Sequence, residues 1–376
     1  MSNVAGLTIS RRGLLAGAIA AAGAAPLSAQ SETPPKLGIV GLGNRAQRHL
    51  AALREIEGTQ ITALSDLQPD RMRAAKNGPA AQAQTYIDYR ELIADSNVEV
   101  VVIAVPNYLH AKIAIEAIEA GKDVLLEKPI GLTYEEARTV ADAAKKHGRI
   151  VGVGMQRQYF SPYRVIAEYV HSGKLGPLRM ISQTEYRGDW NPKTWLWTDP
   201  QSGKKTPWRH LRSLAGSSLL EFSVHTYGFL QTLLASPLVK CSASGGAVHW
   251  PERSTEDAIN VIADYANGAR LHHTYCGFAR GADWNLTLVG DNGHLQYDRH
   301  AATVRVGNRD AVELDLEKYS SEGMLEVQMY RDFFQAVRSR KPSPLNPEFA
   351  IEASKLAYAA WISIDENRIV TDKDFV

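Results

Sequence analysis

The chain of 376 residues reads as an α/β protein of two domains, and three observations predict this. A short apolar run, a glycine turn and a helical pattern follow one another from residue 37, as in a first βα unit. Apolar runs then alternate with helical stretches as far as residue 155, which predicts a parallel sheet. Beyond it several β-like runs come in succession, which predicts a second, antiparallel-rich sheet. The length agrees, because a single core stops growing beyond roughly 250–300 residues.

Residues 1–30 stand apart. Ser10–Leu15 reads SRRGLL, and the run Gly13–Leu27 is mostly Ala, Gly, Leu and Ile. It is shorter than the ~20 residues a membrane-crossing helix needs, so it is not an anchor. Two arginines ahead of a short apolar run, with a small-residue exit near Ala29, resemble a twin-arginine secretion signal, which a receptor reads and a protease removes. The expected location is the periplasm. That route carries proteins already folded, often around a bound cofactor.

The expected domains are 35–155, a dinucleotide-binding Rossmann unit; 156–346, a substrate-binding and oligomerisation unit; and 347–376, a helix packing back on the first. In the first, the strand Leu37–Val40 meets Gly41-Leu42-Gly43-Asn44-Arg45-Ala46 and then a helix. Gly41 permits the tight turn, and Gly43 lets the backbone approach a pyrophosphate. The small Ala46 lets the helix, whose first N–H groups face the phosphates, lie close to the strand. The next strand, Gln60–Ser65, ends at Asp66, where a carboxylate accepts from the ribose hydroxyls and repels a 2′-phosphate, favouring NAD over NADP.

Helices near Arg71–Ala75 and Tyr89–Ala94 lead to VEVVVIAVP, Val98–Pro106, which reads as a buried parallel strand. A helix Ala111–Ala120 follows, capped by Gly121, and then the strand KDVLLEKP. Ligands of such sheets sit beyond the carboxyl ends of the strands. Pro106, Asn107, His110, Glu127, Lys128 and, after the strand IVGVGM, Gln156 are therefore cofactor-side candidates. His110 by itself also suits a structural place at its helix start. Arg157 and Tyr159 are candidates for the wall of a substrate pocket.

In the second half, β-like runs appear at Leu178–Gly188, Val239–Val248, Asp257–Tyr265, Arg270–Phe278, Trp284–Val289 and Thr303–Val306. Met324–Ser339 and Pro347–Asp365 are helical in pattern. The balance of 42 basic against 41 acidic residues gives +1, which removes the electrostatic case for nucleic acid or an anionic membrane. Metal binding is not expected, since a Glu-His pair lacks a third ligand at zinc-like spacing. Cys241 and Cys276 read as two buried thiols, with pairing left open.

GLGNRA, AVPNYLH, LLEKP and GSSLLEFSVH together resemble the glucose-fructose oxidoreductase, inositol dehydrogenase and MocA family over most of the chain after residue 30. The resemblance implies a C-terminal α/β domain with a large open, mainly antiparallel sheet, NAD(P)-linked chemistry on sugars or cyclitols, and association into a homo-oligomer. It makes Lys128 the lysine beside nicotinamide and substrate, puts Glu127 at the cofactor, and aligns His225 with the family's usual base.

Glu221 and His225, four residues apart, share a face if their segment is helical. A neutral imidazole can take a hydroxyl proton, a neighbouring carboxylate can orient the ring, and the Lys128 ammonium can steady the developing charge. Two positions depart from the family. Glu221 stands where Asp is usual, and Gly228 where Asp is common, so Tyr227 offers a phenolic hydroxyl in its place. The segment DWNPKTWLWTDPQSGKKTPWRHLR holds Trp190, Trp195, Trp197 and Trp208. Two readings of it stand: Trp195, Trp208 and Arg209 face a sugar, with His210 and Arg212 nearby, or the tryptophans are a packing or dimer cluster.

These features lead to an exported NAD-dependent oxidoreductase acting on a sugar-like secondary alcohol with a retained cofactor. A redox-neutral NAD-dependent glycoside hydrolase or lyase is the alternative.

Overall fold

The first sheet grows from short Val-, Ile- and Leu-rich runs that bury both faces. Its strands are β1 (Lys36–Val40), β2 (Gln60–Ser65), β3 (Gln84–Tyr86), β4 (Val100–Ile103), β5 (Asp123–Glu127) and β6 (Val151–Gly154). All run parallel, in the order β3-β2-β1-β4-β5-β6. The strand order reverses between β1 and β4, so a crevice opens beyond the carboxyl ends of those strands. The computed structural model describes residues 34–188, 190–193, 196–198 and 202–375. The signal reading of residues 1–30 and the candidate Trp195 lie outside the described residues.

Helices α1 (Asn44–Arg54), α2 (Pro69–Ala75), α3 (Tyr89–Ala94), α4 (His110–Glu119) and α5 (Tyr134–His147) connect these strands. The sequence reading lacks α5, although its ends are marked. Thr133 Oγ1 accepts from the Glu136 N–H at 3.2 Å, and Gly148 closes the helix in the left-handed region at φ +60°.

After α6 (Ser161–His171) come β7 (Leu178–Arg187), the short pair β8 (Trp197–Thr198) and β9 (Lys205–Thr206), α7 (Arg212–Ala215) and α8 (Val224–Leu234). Then follow β10 (Leu238–Gly246), β11 (Ala258–Tyr265), β12 (Arg270–Cys276), β13 (Ala282–Gly290), β14 (Gly293–Tyr297), β15 (Ala302–Val306) and β16 (Val312–Glu313). Helices α9 (Leu325–Ser339) and α10 (Pro347–Glu366) and the strand β17 (Val370–Thr371) complete the chain. The second sheet runs β16-β15-β14-β13-β7-β12-β11-β10-β17. β7 and β12 are parallel; its other ladders among the described residues are antiparallel. Alternating burial along β12 shows one covered face and one open face.

Two apolar cores result, one on each sheet. The last two long helices serve both. From α9, Val327, Tyr330 and Phe333 enter the first core, as do Ala350 and Ile351 from the start of α10. From Leu356 onward α10 packs into the second core with Ala357, Tyr358 and Ala360. The tail therefore joins the sheets instead of covering only the first. Cys241 on β10 and Cys276 on β12 are free thiols with β11 between them. Cys241 is buried, which pushes its thiol up to about 12, while Cys276 is half-exposed, so the expectation of two buried thiols holds for Cys241 alone.

Candidate active site

The glycine turn is held by the next strand. The Gly41 N–H donates to Ser65 O at 2.8 Å. At φ +86°, with a Cβ that would stand 2.5 Å from Ala104 O, only glycine fits there. Asp66 Oδ2 accepts from the Leu42 N–H at 2.7 Å and Oδ1 from the Gln68 N–H at 2.8 Å, so this carboxylate also fastens the turn. Each oxygen keeps acceptor capacity for a ribose hydroxyl. Around Gly43 the space is open: a Cβ would meet only Arg71 Nη1, at 3.9 Å. α1 begins at the exposed Asn44 with no side-chain cap, which leaves its first N–H groups for a pyrophosphate. With Ala46 fully buried against the strand, the cradle fits NAD.

Arg45 and Glu127, expected at the cofactor, are first of all each other's partners. Arg45 Nε donates to Glu127 Oε1 at 2.6 Å, and Nη1 to Glu326 Oε1 at 2.8 Å. Glu127 Oε1 also lies 3.0 Å from His49 Nε2, and His49 Nδ1 lies 2.9 Å from the Tyr330 hydroxyl. Burial opposes the Glu127 charge, but Arg45 and His49 outweigh it and hold the carboxyl far below its ordinary range. Arg45 Nη2 stays buried without a partner. Sequence reasoning missed His49, Glu326 and Tyr330. Their partners lie up to 281 positions away, and no local pattern marks them.

Lys128 follows directly, at the carboxyl end of β5. Its Nζ donates to Glu221 O at 2.5 Å and to Glu221 Oε2 at 3.1 Å. Glu221 lies in a π-helical segment, Leu219–Ser223, that leads into α8; such turns often occur at functional sites. Its Oε2 also accepts from Asn107 Nδ2 at 2.8 Å and its Oε1 from Arg209 Nε at 2.9 Å. Burial works against the charge, yet Lys128 and Arg209 bring this carboxyl down to about 2. Asn107 donates also to Ala215 O at 3.1 Å, so its amide ties the first domain to Glu221 instead of being reserved for the cofactor.

His225, in the first turn of α8, is 8 % exposed. Burial first, then the charges of Lys128 and Arg157, push its pKa well below the ordinary imidazole value, so the ring is neutral. The expected Glu221–His225 pairing does not form. Glu221 is committed to Lys128, Asn107 and Arg209, and His225 Nδ1 is buried with no partner. Gln158 Nε2 instead donates to His225 O at 3.0 Å. Gln158 also accounts for Gly228, where a Cβ would stand 2.7 Å from Met155 Cε and 2.8 Å from Gln158 Nε2. The space of the usual carboxylate is already filled.

Other expected positions are corrected. The Tyr227 hydroxyl meets His273 Nδ1 at 2.6 Å, inside a buried network in which Ser223 Oγ donates to Glu185 Oε2 at 2.7 Å; Tyr227 therefore faces the sheet, not the reacting centre. The Tyr159 hydroxyl donates to Asp332 Oδ2 at 2.5 Å and ties the loop after β6 to α9. His110, 1 % exposed, sets its two ring nitrogens 2.6 and 2.9 Å from Pro129 O and Val105 O, so it braces the loops after β4 and β5. Pro106 precedes the short turn Asn107–Leu109 at the mouth of the crevice. Gln156 is half-buried, with Oε1 unpartnered. Trp208 is half-buried under the Arg209 guanidinium, 4.4 Å from the ring centroid. Trp190 packs on Phe222 at 4.5 Å, which supports the packing reading for that tryptophan.

Residues 36–155 match the family described as an oxidoreductase family with an NAD-binding Rossmann fold, and residues 163–296 match the GFO/IDH/MocA C-terminal domain. An uncharacterized oxidoreductase, YrbE, of Bacillus subtilis (strain 168) is 25 % identical over 338 residues, covering 87 % of this chain and 93 % of that protein. The inositol 2-dehydrogenase/D-chiro-inositol 3-dehydrogenase of Lactiplantibacillus plantarum is 26 % identical over 349 residues, covering 90 % and 94 %. The solved structure of an aldose-aldose oxidoreductase from Caulobacter crescentus superposes with a TM-score of 0.77 at 20 % identity, covering 90 % of this chain and 99 % of that one. At that identity it attests the fold.

Proposed function

The chain belongs to the GFO/IDH/MocA family of NAD-binding oxidoreductases, and on that premise we propose that it oxidises a secondary alcohol of a sugar or polyol between Lys128 and His225. One observation carries the reading. Lys128 from the first domain is fastened to Glu221 from the second, beside a neutral imidazole at His225 whose Nδ1 has no partner among the described residues.

Bound NAD supplies the hydride acceptor. The chain's own groups manage the proton and the charge. His225, neutral because it is buried beside the cations Lys128 and Arg157, takes the hydroxyl proton as the hydride leaves; the same surroundings disfavour the imidazolium, which returns the proton to bulk water after the product departs. The Lys128 ammonium donates to the same oxygen and stabilises its developing negative charge. Glu221 orients that ammonium and offsets its charge, while Asn107 and Arg209 hold Glu221 still. The substrate-side candidates are Arg157, Trp208 and Arg209.

Export by the twin-arginine route belongs to the same proposal, supported by SRRGLL and the run Gly13–Leu27. Outside the cytoplasm no nicotinamide pool is maintained, so a released cofactor is lost. Retention then requires a Kd below ~1 nM, and the bound cofactor is reset in the same site, by oxidising one sugar and reducing another. Self-association is proposed through the open face of the second sheet, where Met180, 61 % exposed, stands between Val289 and Arg270 and Ile262, 59 % exposed, between Ser242 and His272. No feature of the site favours the redox-neutral glycosidase or lyase alternative.

The test is to denature protein purified from the periplasm, quantify released nicotinamide, and follow NADH fluorescence of native protein over a panel of sugars and cyclitols. Near-stoichiometric nicotinamide that becomes reduced on adding one of them supports the proposal. Release of a glycosidic leaving group without net NADH would instead establish the alternative.

A further inference from the structure

The described groups around the reacting centre do not balance in charge. Lys128 and Arg209 share one carboxylate, Glu221, while Arg157 acts with Lys128 on His225, and the paired Arg45 and Glu127 that also reach His225 cancel; both nearby imidazoles are neutral: His225, and His210, which burial and then Arg253 and Arg209 lower to about 4. The excess is two positive charges. Two guanidiniums are also incompletely used. Arg209 engages Glu221 through Nε alone and lies over Trp208, 4.4 Å from the ring centroid, with its terminal nitrogens without a hydrogen-bond partner among the described residues. Arg157 has no anionic partner among them; its guanidinium lies 5.9 Å from the Phe160 ring, in the turn whose next residue, Gln158, binds His225 O. His210, in the same short turn as Arg209, is fully buried with both ring nitrogens unpartnered among the described residues.

We propose that the substrate is an acidic sugar, its carboxylate held by Arg157 and Arg209 while the hydroxyl to be oxidised lies between Lys128 and His225. A guanidinium presents a planar fork matched to a carboxylate, and stacking on an indole fixes its plane at little entropic cost. Such a group also supplies the counter-charge that the site lacks; a neutral sugar would leave two partly buried cations without a counter-charge. This rests on the dehydrogenase reading above and narrows its substrate to sugars bearing a carboxylate.

The experiment uses NAD-loaded full-length protein and matched probes: D-glucose against D-glucuronate, and D-galactose against D-galacturonate. Turnover is followed as NADH, and binding by calorimetry. The uronates are expected to exceed the neutral sugars by about tenfold or more in kcat/KM and in affinity, the gain shrinking as sodium chloride is added. Arg157→Gln collapses that ratio mainly through KM, and Arg157→Lys restores part of it. If Arg157→Gln fails to fold, Arg209→Lys must lower the same ratio. Equal or better binding of the neutral sugars, or a ratio unmoved by either substitution, overturns the inference while leaving the dehydrogenase reading intact. Preferential uronate binding without any NADH supports the carboxylate site and counts against the dehydrogenase reading alone.

Discussion

Replacing Glu221 by Gln keeps the shape of the side chain and removes one buried charge. In the wild-type protein this carboxyl, 6 % exposed, is brought from 4.5 to about 2 by its surroundings, with burial opposing and Lys128 and Arg209 prevailing. A shift of that size corresponds to about 3 kcal/mol of stability, present in full above the unfolded value and lost as pH falls from 4.5 towards 2. At neutral pH the variant should therefore be destabilised by about 3 kcal/mol, beyond any difference in hydrogen-bond strength. The deficit should shrink by about 1 kcal/mol at about pH 4 and by about 2 kcal/mol at about pH 3. Urea unfolding of both proteins across this range, with cofactor loading matched, reads the difference directly. A deficit that stays constant from neutral pH down to about pH 3 would show that the carboxylate's charge is not what joins the two domains, and the reasoning would fail.

Further outcomes follow from the same contacts. His225→Asn should lower kcat by ~10²–10⁴ with cofactor still bound. In the wild type the acidic limb of the pH–rate profile should lie below 6.5, because the folded imidazole titrates below its ordinary value; a limb at or above 6.5 would contradict the dry, cationic setting. Tyr227→Phe and Tyr159→Phe, which strip hydroxyls from buried structural bonds, should each cost ~1–2 kcal/mol in thermal or urea unfolding. Both should retain turnover within a few-fold, and loss of turnover from a stably folded Tyr227→Phe would return that hydroxyl to the mechanism. Gly228→Ala should cost ~1–3 kcal/mol in urea unfolding, since the new Cβ displaces the end of Met155 and the Gln158 amide that binds His225 O. Gly41→Ala, opposed by Ala104 O and a positive φ, should abolish cofactor binding as measured by NADH fluorescence titration.

Much of the fold was legible because its signals are local. The turn at Gly41, the acidic end of β2 and the buried run of β4 are each written within a few neighbouring residues, and all three recur in the structure, although β4 keeps only Val100–Ile103 of the expected Val98–Pro106. Helix α5 was equally marked, by Thr133 and Gly148, yet absent from the reading of the chain. The strands of the second sheet were readable from alternation, but not their order. β7 lies between β12 and β13, and which strands pair is settled by the faces they bury, not by their place in the chain.

The site divides in the same way. By itself, the sequence determined which groups stand at the carboxyl ends of the first sheet, because a strand end, a glycine turn and a helix start are local events; Gly41, Gly43, Asp66 and Lys128 follow from that. Tertiary structure alone decided what those groups touch. A spacing of four suggested that Glu221 serves His225, but the π-helical turn and the approach of the first domain give Glu221 to Lys128, Asn107 and Arg209 instead. Glu127 is tied to Arg45 and His49, and Tyr227 to His273, each from a distant part of the chain. The physical reason is the same in every case: a buried charge or hydroxyl must find its partner wherever packing brings one within about 3 Å, and packing takes no account of separation along the chain.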